Sequence, residues 1–306
     1  MTANELIQMV DALEIPDTII TEHRSVFSGL EALALTCAHF SSAGDLFQLS
    51  KEYNRSQGAI SEIVNWVSTY IDSTWEHLLD FDHDHLLSPL NLQQYANAIH
   101  RAGAPLKGVW GFIDCTIRRI SRPTLWQCQA YNGHKRVHAL KFQAIMLPNG
   151  MFGHLFGPQE GRRNDSFLLN ESGLLDQCAE FAVREGTDEN TPDEEHYFQL
   201  FGDPAYGLSP HIQSPHSGVG VRTEEQLWWN ELMSAVRIEV KHGFAVVANT
   251  WPFLNAAWKL HIGGSPVGHY YRTGVLLTNG LNCLRPNQVA QAFNCPPPLL
   301  KNYFHH

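Results

Sequence analysis

At Val109 the hydrophobic pattern of this chain changes its period, and that change limits the folds open to it. Upstream, apolar residues recur at spacings of three and four in VFSGLEALALTCAHF and in AISEIVNWVSTYIDSTWEHLL, the pattern of amphipathic helices. From Val109 onward VWGFIDCTIRRI is apolar and β-branched, HALKFQAIML ends at the turn Pro148-Asn149-Gly150, and MFGHLFG follows directly. Three consecutive antiparallel strands are expected. A helix over DSFLLNESGLLDQCAEFAV, a short strand YFQLFGD, a loop and a long helix WWNELMSAVRIEVKHGFAVVANTW follow. A further helical stretch, YYRTGVLLTNGLNCL, precedes the helix-stopping Pro296-Pro297-Pro298.

The expected fold class is therefore α/β, a mixed sheet flanked by helices and preceded by an all-helical N-terminal region. The corresponding division is 1–105 helical, 106–295 α/β and 296–306 a tail. With 306 residues and 43% hydrophobic content there is enough apolar surface for a real core. No basic and apolar leader opens the sequence, and no apolar run approaches the roughly 18 residues of a membrane span, so a soluble intracellular protein without a membrane partner is expected. Six scattered cysteines without a C-x-x-C pair suggest neither a disulfide framework nor a zinc ribbon. They read as reduced, mostly buried thiols.

The formal charge of -10 argues against a protein that coats nucleic acid. Charge is unevenly placed, however. Between Arg118 and Arg163 there are eight basic residues (Arg118, Arg119, Arg122, Lys135, Arg136, Lys141, Arg162, Arg163) and one acid, Glu160. Glu171 to Glu195 reverses this, with nine acids against Arg184, and reads as a solvated loop. In the N-terminal region a helix, a short helix from Ala43 to Tyr53, and a third helix from Gln57 capped by Ser56 have helix-turn-helix spacing. Such a unit would offer Arg55, Ser56, Gln57 and Ser61 to DNA, while the same spacing fits an ordinary three-helix bundle.

Two carboxylates draw attention. Asp114 lies inside the apolar run GFIDCT, where a charge is costly unless paired or bound to metal. Asp203 closes the apolar strand YFQLFGD before Pro204-Ala205-Tyr206-Gly207, at the carboxyl end where open α/β sheets present ligand groups; the alternative is a cap or turn role. Carboxylates converging from separate elements are what two-metal phosphodiester hydrolysis requires, because Mg²⁺ takes oxygen ligands and must clamp attacking and leaving oxygens.

The blocks GVWGFIDCTIRRISRP, YNGHKRVHALKFQAIMLPNGMFGHLFGPQEGRRNDSFLL, QLFGDPAYGL and NELMSAVRIEVKHGF resemble, in that order, those of PIF/Harbinger-type transposases and the DDE superfamily endonucleases derived from them. The resemblance covers roughly residues 90 to 290. It implies an RNase H-like nuclease core, a divalent cofactor (Mg²⁺ or Mn²⁺), DNA as substrate and a nuclear location. It also implies a separate Myb-like DNA-binding protein as partner, and it accommodates an oligomer.

Asp114 and Asp203 match the family's first two acids, and Asp165 in GRRNDSFLL matches a further acid, as a metal ligand or a helix cap, with Asn164 where the family has histidine. The third acid departs from the pattern. Aligning Arg237-Ile238-Glu239-Val240 puts Lys241 at the position of the family's glutamate, and Glu239 lies about 200° away around a helix. Glu239 is the substitute candidate. A lysine directed at Asp114 and Asp203 would pair with them in place of metal and impair cleavage. Two function classes follow: a metal-dependent DNA endonuclease, impaired in this copy, and a noncatalytic DNA-binding or scaffold protein descended from a transposase. In both, Arg118, Arg119, Lys135, Arg136, Arg162 and Arg163, with Arg55 and Gln57, are expected to meet the DNA backbone.

Other groups read as structural. Asp82-His83-Asp84-His85 reads as a loop, and His134 with His138 leads into a strand, where residues four apart do not chelate readily. Gly218-Val219-Gly220 and Gly263-Gly264 lack the context of a nucleotide loop. Trp228, Trp229 and Trp251 fit packing better than base stacking.

Overall fold

The computed structural model describes the chain except residues 44, 189, 218, 219 and 306 and the side chains of residues 239–242 and 244. It opens with α1 (Ala3–Ala12), closed at its start by a capping box between Thr2 and Glu5. A hairpin of β1 (Thr18–Ile20) and β2 (Val26–Ser28) follows. This corrects the expectation of an all-helical N-terminal region. Ile19 and Phe27 point inward between exposed neighbours, a strand alternation too short to stand out beside the helical run that begins at Gly29.

Next come α2 (Gly29–Ser41), α3 (Leu46–Glu52) and α4 (Gln57–Trp75), the last capped by Ser56 as expected. α5 (Pro89–Arg101) leads to the sheet. The sheet contains β3 (Val109–Arg119), β4 (Tyr131–Asn132, after the short α6, Gln127–Ala130), β5 (Val137–Met146) and β6 (Phe152–Glu160). It is completed by β7 (Gln199–Phe201) and β8 (Ile212–Gln213). β3, β5 and β6 pair antiparallel, whereas β7 joins β3 and β8 joins β7 in parallel, so the sheet is mixed.

The helix expected after the three strands is two helices, α7 (Asp165–Glu171) and α8 (Leu174–Phe181). Gly173 separates them with a φ of 64°, a left-handed conformation that interrupts helical hydrogen bonding. α9 (Asp193–His196) precedes β7, and the long α10 (Glu224–Thr250) begins at a Thr223–Gln226 capping box. After it stand α11 (Val267–Leu284), α12 (Gln288–Phe293) and α13 (Leu300–Phe304). The triple proline thus ends one helical region without leaving a loose tail, since Leu300, Tyr303 and Phe304 are buried.

Helices cover the sheet: α5 and α10 pack on β3, α7 on β5 and α11 on β6. α11 also packs on α4, so the N-terminal helices share the apolar core of the α/β region. Polar groups fix this contact. Buried Asp72 of α4 accepts from Arg272 Nε at 2.7 Å and lies 2.6 Å from His269 Nδ1, while Thr273 Oγ1 donates to the Ser68 carbonyl at 2.8 Å. Fully buried Asn279 accepts from Phe152 N and donates to Phe152 O, both at 2.9 Å, which pins the start of β6 to α11. Among the described residues no helix is long and apolar enough to cross a membrane.

Candidate active site

Parallel pairing of β3 with β7 aligns Phe112 with Phe201. Asp114 stands two residues past that pair within β3, and Asp203 stands two residues past it, just beyond the end of β7. The two acids singled out in the sequence thus lie near the point where β7 ends beside β3, in the interior of the sheet order. Asp114 is half-buried; its Oδ1 accepts from Cys115 N at 2.9 Å, and its Oδ2 lies 3.4 Å from Arg237 Nη2 of α10. Asp203 caps the helical turn Pro204–Tyr206, with Oδ1 accepting from Ala205 N at 2.9 Å. The capping role foreseen as an alternative for Asp203 is present and uses one carboxylate oxygen.

Asp165 opens α7 without capping it. Asn164 is the cap, accepting from Phe167 N at 2.8 Å, and Asp165 forms an ion pair with Lys141 of β5. Lys141 Nζ also donates to the Arg163 carbonyl at 2.9 Å. Ser166 Oγ donates to Ala205 O at 2.6 Å, so the turn after Asp203 is fastened to the start of α7. Tyr206 closes the space between them, its hydroxyl 3.2 Å from Cys115 Sγ. Burial, then neighbouring Cys115, and after it the charges of Asp165 and Asp114, push the Tyr206 phenol far above its ordinary range. Burial likewise pushes up the Cys115 thiol, with Asp165 adding to the effect. Gly202 is required here, because a Cβ would sit 2.7 Å from the Tyr206 ring.

The sequence reading missed Lys141 and Arg237 as partners of these acids. Lys141 was detectable, being a lone charge inside the apolar HALKFQAIML, the same signal that marks Asp114. Arg237 was not, since only the crossing of α10 over β3 brings it there.

Arg118 requires correction as a DNA-contacting residue. It is buried, donates to Thr116 Oγ1 at 2.7 Å and stacks on the Tyr271 ring at 4.6 Å, because its position on β3 points it into the α11 interface. Arg119, Lys135 and Arg136 are exposed. Arg162 and Arg163 both bind Glu160, at 2.9 and 2.8 Å. Arg55 forms a bidentate pair with Glu31, 2.8 Å on each arm, and lies over the Phe27 ring, whereas Gln57 is exposed.

Glu239 and Lys241 lie on α10, and their side chains fall outside the described residues, as does most of the Gly218-Val219-Gly220 segment. Trp251 is a packing residue, donating to Gly274 O at 3.1 Å, and Trp229 packs edge-on against Phe201. Trp228 is exposed. In the Asp82–His85 segment, Asp82 closes a turn on His85 Nδ1 at 3.1 Å. The cysteines are free thiols, three of them buried.

The donor set can be weighed against a divalent metal pair. Asp114 and Asp203 supply carboxylate oxygens, but a guanidinium faces the first and an ammonium holds Asp165. Among the described residues no three His, Cys, Asp or Glu side chains gather into a group able to hold a metal ion. Among the described residues, Asp114, Asp203 and the Lys141-bound Asp165 do not by themselves make a complete two-metal centre.

Residues 113–279, which contain Asp114, Asp165, Asp203, Glu239 and Lys241, match the family model for DDE superfamily endonucleases. No curated protein and no solved structure matches the chain. The matched span exceeds half of the 306 residues, and the chain belongs to the DDE superfamily endonuclease family.

Proposed function

We propose that this chain is a transposase-derived DNA endonuclease of the PIF/Harbinger kind whose cleavage centre, built on Asp114 and Asp203, is impaired in this copy. The observation that supports the reading is the parallel β3–β7 register, from whose last pair, Phe112 and Phe201, both acids follow two residues on within the family-matched span. The path β6-β5-β3-β7-β8, three antiparallel strands followed by two parallel ones, supports an RNase H-like core. DNA is the substrate that the family implies. Exposed Arg119, Lys135 and Arg136 provide phosphate contacts, and a Myb-like partner would supply sequence recognition in the nucleus.

Mg²⁺ or Mn²⁺ is the cofactor this reading calls for; Asp114 and Asp203 would be the residues to hold it, and it would supply Lewis-acid stabilisation of charge on the phosphodiester oxygens. This chain's own residues do something else. Arg237 neutralises Asp114, Lys141 neutralises Asp165, and Asp203 orders the turn that carries Tyr206. The Arg237–Asp114 pair, together with Lys241 at the third-acid position, favours a second reading, a noncatalytic DNA-binding or scaffold protein. Incubation of a labelled duplex with the protein and Mn²⁺ separates them. Weak cutting abolished by Asp114→Ala supports the impaired nuclease; binding with no cutting supports the scaffold.

A further inference from the structure

Trp126 is a conspicuous surface residue. It is 69% exposed, and its backbone is left-handed, with φ 63° and ψ 25°, a region that bulky side chains seldom occupy. Glycine would start α6 there without strain, so neither packing nor the turn accounts for an outward indole. The loop is firmly held. Arg122 Nε donates to Gln127 Oε1 at 3.0 Å across the tryptophan, and the Trp126 carbonyl accepts from Ala130 N at 3.0 Å.

Two tethers tie this loop to its surroundings. Ser121 N donates to Leu260 O at 3.0 Å and Ser121 Oγ to Ala257 O at 2.9 Å, joining it to the turn that bears Trp258, 67% exposed. Arg162 N donates to Gln129 O at 3.2 Å, only three residues before Asp165 of the carboxylate site. Charge completes the case. In a chain of net charge -10, residues 115–159 and 240–306 contain no Asp or Glu at all, and the two segments meet at Ser121, five residues before Trp126. Arg119 and Arg122 are exposed on this rim.

We propose that Trp126, on the basic rim of Arg119 and Arg122, is a stacking platform for an unpaired DNA base beside the carboxylate site. The inference rests on the DNA reading above and adds a preference for single-stranded or opened DNA. An indole offers its face to any base, while the arginines hold the flanking phosphates. A rigid loop presents the ring with little ordering cost.

The test is fluorescence anisotropy of a labelled single strand and its matching duplex with the full chain and with Trp126→Ala, Trp126→Gly and Trp126→Phe. Trp126→Gly suits the left-handed backbone and guards against a folding defect. The expected result is a loss of about tenfold in single-strand affinity for the Ala and Gly variants, with duplex affinity unchanged within about twofold and Phe retaining binding. Equal weakening of both DNA forms, or none, overturns the stacking role while the DNA reading stands. Binding of neither form by the natural chain overturns both.

Discussion

The Lys141–Asp165 pair gives the site its most measurable energetic signature. Lys141 has a side chain only 7% exposed, against 21% for Asp165, so the two partners are not equivalent. Asp165→Asn strands a buried ammonium whose remaining acceptor is the Arg163 carbonyl at 2.9 Å, and losing the partner of a buried charge costs about 3 kcal/mol or more. Lys141→Met leaves a carboxylate that is nearer solvent, and the cost should be about 1 kcal/mol. The double substitution Lys141→Met/Asp165→Asn removes both charges and should cost about 2 kcal/mol rather than the roughly 4 kcal/mol sum of the single effects, a coupling of about 2 kcal/mol. Urea unfolding at neutral pH of the four proteins measures this cycle. An Asp165→Asn cost below about 1 kcal/mol, or strictly additive single effects, would refute the buried-pair assignment.

Two further outcomes concern stability. Burial pushes the His154 imidazole from its ordinary 6.5 down to about 4, with nearby Arg272 contributing, and burial likewise holds His39 at about 4. The unfolded chain therefore binds more protons than the folded one between pH 6.5 and 4; stability should fall on acidification through that window by up to about 1.4 kcal/mol per pH unit for each histidine. His154→Leu should flatten the dependence of the urea midpoint on pH, and an unchanged slope would count against a buried neutral imidazole. Asp72→Ala, which leaves Arg272 only the exposed Glu76 carboxylate and the Gly157 carbonyl, should cost about 3 kcal/mol in the same assay. A loss below about 1 kcal/mol would show that this pair does not hold the N-terminal helices to the α/β region.

Much of the fold is legible in local pattern. The three antiparallel strands, the Ser56 cap and the long α10 follow from hydrophobic period and capping residues, which act within a few positions of one another. Asp114 and Asp203 stand out for the same reason, one as a charge in an apolar run and the other as an acid at a strand end. What brings them together is not local. The β3–β7 register joins residues nearly ninety apart and is set by how β7 fits beside β3 in the finished sheet. Arg118 was misread because a strand's two faces look alike in sequence until the covering helix is known. The β1–β2 hairpin escaped notice because three-residue strands hold too few alternations to compete with the helix that follows.

The central claim, a DDE endonuclease site impaired by cations, is tested most directly by Mn²⁺ calorimetry on the natural chain and on Lys241→Glu, with cleavage of a labelled duplex followed in parallel. The prediction is weak Mn²⁺ uptake and slow or undetectable cleavage by the natural chain, with both increased in Lys241→Glu. Tight Mn²⁺ binding and efficient cutting by the natural chain, both lost in Asp114→Ala, would contradict the impairment and turn attention to Glu239 as the third ligand.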